Sequence, residues 1–353
     1  MPYFQPKLTL PPTLTFANKT ILITGPSAGL GLAATHLLLQ YSAGEIIFGV
    51  RNITKGHAIK SQILSSPLVK TSNLSAKITV LELNLESYSS VLEFAREVKE
   101  KWDGKLDMVL LNAATGSLKW ETVGMGGSSE MRGHEKTIQV NLLSSALLAV
   151  SLLPTLEKTA RRTGTPSRIT WVGSFVQFDH SLEKHPIPGQ YLDSNENDKN
   201  HSILSYFDDE ANFIPMARYS DSKLLVTMVV EQLARFVDPE LVLINDVSPG
   251  MVRTGFGEYP VWLRGMMAVV FGLMARSPEE GAKTYLHALS VAGKKSHGMY
   301  LSDNLVTERA PIAMTPVGKQ TREKLWDDMW KEFLTLDPNL KPLALQVFYR
   351  DFA

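Results

Sequence analysis

The chain has 353 residues and no cysteine, and its 36 Lys and Arg residues balance 36 Asp and Glu residues. The balanced charge argues against a nucleic-acid partner, which usually binds a basic surface. The missing cysteines exclude disulfides, thiolate metal ligands and a cysteine nucleophile. Because residues 1–16 carry several prolines and no continuous apolar stretch, we predict no secretory signal. No stretch of about 18 uncharged apolar residues occurs, so we predict no transmembrane helix and expect a cytoplasmic protein.

Apolar strand patterns alternate with helical patterns along most of the chain. Strands are predicted at residues 20–24, 45–50, 77–83, 106–111, 168–174 and 242–247. Helices are predicted at residues 30–41, 53–65, 87–102, 133–156 and 317–334. This alternation is typical of an α/β fold in which a doubly wound parallel sheet has helices on both faces.

Three segments stand outside the alternation. Residues 177–215 are rich in Asp, Asn, Glu, His and Pro, and we predict an insertion with a mobile tip at 193–200. Residues 303–353 form a C-terminal extension of the same single domain, in which Trp326 and Trp330 are expected to be core residues. Residues 256–274 are unusually apolar, which fits a buried helix, an interfacial helix or a lid over an apolar substrate.

A glycine-rich turn joins the first predicted strand to the first helix. Residues 24–31 read TGPSAGLG, with glycines at Gly25, Gly29 and Gly31. Such glycines let the backbone approach a pyrophosphate, and the next helix directs its N–H groups and positive dipole end at the anion. We therefore predict a Rossmann-type fold that binds a dinucleotide here.

The end of the second predicted strand bears on the choice of cofactor. NAD-preferring folds place an acidic residue there to accept hydrogen bonds from the ribose, but this strand ends at Arg51 with no Asp or Glu beside it. A guanidinium can pair with the 2′-phosphate of NADP, whereas the alternative is a solvated surface arginine. The sequence predicts NADPH, with Lys55 as a second candidate contact.

Four polar residues are candidates for the chemistry. Tyr219 and Lys223 are spaced to share one helix face, and a nearby cation lowers the tyrosine pKa from its free value of about 10 toward the range useful for acid–base catalysis. Ser174 ends a predicted strand, where it could bind a substrate oxygen or cap the chain locally. Asn141 interrupts an apolar helix, where an ordinary buried amide is the alternative.

In this order, the motifs resemble those of the short-chain dehydrogenase/reductase family over residues 18–302, in its retinol-dehydrogenase-like and carbonyl-reductase-like branch. The resemblance implies a catalytic tetrad of Asn141, Ser174, Tyr219 and Lys223, in which the asparagine holds a water that links the lysine to solvent. It also implies cofactor contacts from Gly25, Ser27, Gly29, Leu30, Gly31, Arg51, Asn84, Leu85, Asn112, Ala113, Lys223, Pro249, Gly250, Val252 and Thr254.

Two positions depart from the family pattern. Asn84 stands where the family usually has an Asp that holds the adenine amino group, and Ala114 replaces the glycine of an N-A-G motif. The long stretch between Ser174 and Tyr219 resembles carbonyl reductases, in which the insertion covers a dimerisation face. The resemblance therefore favours a monomer.

The function that the resemblance implies is NADPH-dependent interconversion of a ketone or aldehyde and an alcohol. The apolar stretch 256–274 favours a bulky apolar small molecule, and the overall resemblance favours fungal secondary metabolism. A non-redox cyclase, isomerase or dehydratase on the same scaffold and a cofactor-sensing binding protein are the alternatives. No metal is expected.

Overall fold

The computed structural model describes residues 5–73, 75–123, 133–187, 202–253 and 274–341. Eight strands form one sheet in the order β3-β2-β1-β4-β5-β6-β7-β8, and all neighbours are parallel except β7 and β8. The strands are β1 Thr20–Thr24, β2 Glu45–Val50, β3 Lys77–Glu82, β4 Met108–Leu111, β5 Ser167–Val172, β6 Val242–Ser248, β7 Met299–Ser302 and β8 Leu305–Thr307. The predicted doubly wound α/β sheet is confirmed.

Helices cover both faces of the sheet. They are α1 Gly29–Gln40, α2 Ile53–Ser65, α3 Pro67–Ser72, α4 Tyr88–Trp102, α5 Lys136–Thr163, α6 Ile203–Asp208, α7 Ala217–Ala234, α8 Pro278–Leu286 and α9 Pro316–Leu336. Helices α1 and α8 pack together on one face, whereas α4, α5, α7 and α9 cover the other. Because both faces are covered, the central strands are mostly apolar, and all residues of β4 and β6 are buried, including the polar Asn245, Asp246 and Ser248.

The longest helix, α5, begins three residues later than predicted and extends seven residues further. Its first turns include a π-helical segment, Gln139–Leu143, and it ends at Gly164 in the left-handed conformation. By length and composition α5 could cross a membrane, but 94% of its apolar window is buried inside the fold. Its apolar composition therefore reflects its position in the core.

The insertion and the C-terminal extension both contact this core. The described parts of the insertion include the end of a 3₁₀ turn, Phe175–Asp179, helix α6 and a second 3₁₀ turn, Glu210–Asn212, whereas the predicted mobile tip lies outside the described residues. Trp326 and Trp330 of α9 are 3% and 1% exposed and belong to the same apolar cluster as α5 and α7. Their predicted core role is confirmed.

The sequence analysis missed the helices α3, α6 and α8 and the strands β7 and β8. The two strands have only three or four residues and α3 and α6 have six each, too few for periodicity to be recognised. Helix α8 has nine residues and follows the apolar segment 256–274. The antiparallel β8 also departs from the predicted all-parallel sheet.

Candidate active site

A cleft of about 870 Å³ opens where the parallel strands end. Ligands of open α/β sheets bind outside the carboxyl ends of the strands, and the volume suits a small-molecule or cofactor site. Sixteen of the predicted site residues line it: Gly25, Ser27, Gly29, Leu30, Gly31, Arg51, Asn84, Leu85, Asn112, Ala113, Ser174, Tyr219, Lys223, Pro249, Gly250 and Val252. Tertiary folding thus brings together residues from seven separate stretches of the chain.

The glycine turn forms a tight cradle at one end of the cleft. A Cβ added at Gly31 would lie 2.3 Å from the Gly25 carbonyl oxygen, so no side chain fits there. Gly25 itself has φ of +66°, a conformation that favours glycine. Asn112 holds the turn from β4, because its Nδ2 donates to the carbonyl oxygens of Thr24 (2.9 Å) and Gly25 (3.1 Å).

The helix that follows the turn begins without a side-chain cap. Ala28 occupies the N-cap of α1, whereas Asn52, Ser66 and Ser87 cap α2, α3 and α4 with their side chains. The first N–H groups of α1 therefore lack the usual side-chain acceptor. This uncapped end and the close glycine backbone fit the diphosphate of a nicotinamide dinucleotide.

Tyr219 and Lys223 lie on α7, which crosses the sheet beside the end of β5. The Lys223 Nζ donates to the Val172 carbonyl oxygen at 2.7 Å and lies 5.4 Å from the centre of the Tyr219 ring. Burial lowers the pKa of Lys223, an effect that the negative charge of Asp246 opposes. The predicted i, i+4 arrangement places a buried ammonium beside the tyrosine ring.

Asp246 is a buried carboxylate that the sequence analysis missed. It lies in the middle of β6, its Oδ2 accepts from the Thr227 hydroxyl at 2.8 Å, and its Oδ1 has no partner among the described residues. Burial raises its pKa, and the hydrogen bond from Thr227 and the charges of Arg309 and Lys223 oppose that rise. The available signal was a charged residue within the predicted strand 242–247, next to Asn245 and among four apolar residues.

Ser174 lies two residues beyond β5, not at the end of the strand as predicted. Its Oγ accepts from the Val176 N–H at 3.3 Å and caps the short 3₁₀ turn. The local-cap alternative therefore describes what this hydroxyl does in the structure. Because Ser174 also lines the cleft beside Tyr219, its hydroxyl can still donate to a bound oxygen.

Asn141 lies beneath the cleft within the π-helical segment of α5. Its Oδ1 accepts from the Thr115 N–H at 2.8 Å, and its Nδ2 donates to the Thr115 carbonyl oxygen and the Ser222 hydroxyl, both at 2.9 Å. The side-chain amide thus joins the loop after β4 to the residue preceding Lys223. The water-holding role that the resemblance implies remains a prediction.

An acidic side chain does reach the corner beside Arg51. Glu86 comes from the loop after β3, and its Oε1 accepts from the Arg51 Nη1 at 2.8 Å. Lys136 approaches the same carboxylate at 3.7 Å. Because β2 and β3 are neighbours, their loops converge, a proximity that inspection of the second strand alone could not show.

Asn84 lines the same end of the cleft with its amide oxygen already engaged. This Oδ1 accepts from the Glu86 N–H at 3.1 Å, so it shapes the loop after β3. The adenine contact that the resemblance implies remains a prediction. Leu85, the next residue, is buried and lines the cleft.

The opposite end of the cleft is held by the N-terminal segment. The Gln5 Nε2 donates to the carbonyl oxygens of Met251 (2.8 Å) and Met274 (2.9 Å), and its Oε1 accepts from the Met251 N–H (2.9 Å). Gln5 thereby fixes the chain on either side of residues 254–273, beside Val252 in the cleft. Thr254 and all but the last residue of the predicted lid lie outside the described residues.

Replacing Gln5 with Ala is expected to weaken cofactor binding about 3- to 10-fold, because a neutral hydrogen bond contributes about 0.5–1.5 kcal/mol. The loss would arise from looser placement of Val252 and its neighbours. Fluorescence titration with NADPH measures it, with the exposed Gln62→Ala on α2 as the matched control. Equal affinities for the two variants would contradict the role of this contact.

Comparison with known proteins finds a family model and relatives that share one description. The family model for short chain dehydrogenases matches residues 19–181. The chain is 37% identical to the short chain dehydrogenase yanD of Aspergillus niger over 345 residues, which cover 96% of this chain and 99% of the relative. It is 37% identical to the short-chain dehydrogenase/reductase tropG of Talaromyces stipitatus over 336 residues, or 95% and 97% of the two chains.

Solved structures share the fold at low sequence identity. The NADPH-dependent 3-quinuclidinone reductase of Rhodotorula rubra has a TM-score of 0.56 at 18% identity, covering 86% of this chain and 97% of its own. The RhlG/NADP complex of Pseudomonas aeruginosa has a TM-score of 0.55 at 18% identity, covering 84% and 100%.

Proposed function

This chain belongs to the short-chain dehydrogenase/reductase family, and from that premise we propose that it is an NADPH-dependent reductase of a ketone or aldehyde on a bulky apolar small molecule. The observation that carries the proposal is the shared cleft. It holds Ser174, Tyr219 and Lys223 together with the glycine cradle.

Each polar residue of the cleft has its own role in the proposed carbonyl reduction. When bound along the glycine cradle and Lys223, NADPH would supply a hydride for the carbonyl carbon. The Tyr219 hydroxyl donates its proton to the carbonyl oxygen, and the Ser174 hydroxyl donates a hydrogen bond that positions the same oxygen. The Lys223 ammonium favours the phenolate that remains on Tyr219 and binds the nicotinamide ribose. Asn141 positions the segment that carries Lys223.

The preference for NADPH rests on Arg51. Its side chain is 70% exposed at the ribose corner, so it can leave Glu86 and pair with a 2′-phosphate. Glu86 would repel that phosphate, but the nearby Lys136 ammonium partly offsets its charge. The structural neighbours include proteins described with NADPH and others described with NADH, so Arg51 carries this part of the proposal.

Replacing Arg51 with Ala is expected to weaken NADPH binding about 10-fold and leave NADH binding unchanged, since a hydrogen bond to a charged group contributes about 1.5–3 kcal/mol and solvent weakens an exposed one. Glu86→Gln should act in the opposite direction by removing the competing carboxylate. Calorimetric titration measures both. Arg96→Ala, an exposed arginine on α4, is the control, and equal loss of both nucleotides would contradict the assignment.

The proposed substrate class is inferred from the apolar residues that line the cleft near Ser174. Phe175, Val176 and Met216 line it, and a thioether adapts to irregular apolar shapes. Two relatives come from Aspergillus and Talaromyces, which supports a setting in fungal secondary metabolism. We further infer a single-domain enzyme, because the C-terminal helix shares the core, and a monomer, because Phe207 and Asn212 of the insertion accept hydrogen bonds from Arg218 of α7. The expected cytoplasmic location stays a prediction.

One experiment tests the proposed function. The purified protein is titrated with NADPH and NADH, and the loss of reduced-nicotinamide absorbance is followed across a panel of bulky ketones and aldehydes. Consumption of NADPH with an apolar ketone is expected. Product formation without nucleotide consumption would point to the non-redox alternative, and binding without any turnover would point to a cofactor sensor.

A further inference from the structure

Helix α8 presents a buried tyrosine to the floor of the cleft. Tyr285 lines the cleft, its side chain is 0% exposed, and its hydroxyl has no hydrogen-bond partner among the described residues. The buried hydroxyls of Tyr88 and Tyr300 also lack a partner among the described residues, but of the three tyrosines only Tyr285 lines the cleft. Burying an unpaired hydroxyl costs free energy that a phenylalanine would avoid. We therefore expect a ligand in the cleft to supply the hydrogen-bond acceptor for this hydroxyl.

The turn of α8 that precedes Tyr285 packs against two residues that line the cleft. One turn before Tyr285, a Cβ on Gly281 would lie 2.7 Å from Val252 Cγ2 and 3.0 Å from Leu30 Cδ2. The helix is therefore pressed against residues of both the glycine turn and the segment after β6. Burial raises the pKa of Tyr285 well above its usual value, and the charge of nearby Tyr219 adds to this effect. The hydroxyl thus stays protonated and is available as a donor close to Tyr219.

We propose that the Tyr285 hydroxyl donates a hydrogen bond to the nicotinamide nucleoside of the bound dinucleotide, an inference that rests on the proposed function. Tyr285 and Tyr219 line the same cleft, α8 packs against Val252 in it, and the reacting ring must lie beside Tyr219 for the proton and the hydride to reach one carbonyl group. Tyr285 is then a cofactor-binding residue at the reacting end of the site, on a helix that the sequence analysis did not detect.

The test compares Tyr285→Phe with the wild-type protein by calorimetric titration of two ligands. NADPH carries the nicotinamide nucleoside, whereas adenosine 2′,5′-bisphosphate carries only the adenine half. The variant should bind NADPH about 3- to 10-fold more weakly and the bisphosphate with unchanged affinity. Without ligand, its thermal midpoint should equal or exceed that of the wild type, because an unpaired buried hydroxyl has been removed.

The control is Tyr88→Phe, which removes the same atom from a buried tyrosine on α4 outside the cleft and should change neither affinity. Unchanged NADPH affinity in Tyr285→Phe, or equal weakening of both ligands, would overturn the role of Tyr285 while leaving the proposed function intact. Wild-type protein that binds no dinucleotide would overturn both. If the wild type prefers NADH, the same comparison of NADH with AMP decides the role of Tyr285.

Discussion

Replacing Tyr219 with Phe is expected to lower kcat/KM about 10²- to 10⁴-fold while NADPH binding persists. The substitution removes the phenolic hydroxyl of the ring that Lys223 approaches. The ring itself keeps its packing against Gly116. Water must then donate the proton to the carbonyl oxygen. Steady-state NADPH oxidation with a reactive ketone, together with calorimetric titration of NADPH, separates chemistry from binding.

The matched control for this substitution is Tyr206→Phe, which removes a hydroxyl that contacts His185 in the insertion. Its kcat/KM should remain within about 2-fold of the wild type, since surface changes away from a site have small effects. Full activity in the Tyr219→Phe protein would refute the assigned proton donor. Loss of NADPH binding together with activity would instead assign Tyr219 a structural role.

A second large effect is expected at His134, outside the cleft. Its Nδ1 lies 2.8 Å from Asp208 of α6, and its Nε2 lies 2.9 Å from Glu332 of α9. The imidazolium thereby joins the insertion and the C-terminal helix to the start of α5. Burial alone would lower the pKa of His134, but the hydrogen bonds and charges of Asp208 and Glu332 outweigh it and raise the pKa to about 10.

His134→Ala should lower the free energy of unfolding by about 3–5 kcal/mol, because two largely buried carboxylates lose the cation between them. Urea denaturation at neutral pH measures this loss. His57→Ala, an exposed histidine on α2, is the control and should have little effect. A loss at His134 no greater than that at His57 would contradict the ionic role.

The stabilisation by His134 should also depend on pH with a definite sign. The folded-state pKa of about 10 lies above the ordinary value of 6.5, so the contribution is complete below about pH 6.5 and is lost as pH rises toward 10. The difference in stability between the wild type and His134→Ala should therefore shrink across that interval. A difference that is constant from pH 6 to pH 10 would show that the histidine is neutral in the folded protein.

Local sequence patterns were sufficient to predict the sheet and most of the residues that line the cleft. Continuous apolar strands flanked by amphipathic helices require a covered parallel sheet, and a glycine turn between strand and helix requires a close backbone approach. The spacing of Tyr219 and Lys223 determines that they share a helix face, since that geometry depends only on the helical repeat. These features follow from neighbouring residues, which is why they were predicted without the structure.

Tertiary structure alone decided which distant residues share a contact. Glu86 meets Arg51 because β2 and β3 are adjacent, Gln5 fixes the chain after β6, and Tyr285 lies under the cleft on an unpredicted helix. Each pairing joins residues that are far apart in the chain, so no local periodicity or motif spacing encodes it. The order of the strands and the packing of helices on the sheet determine these contacts, and with them the electrostatics of the site.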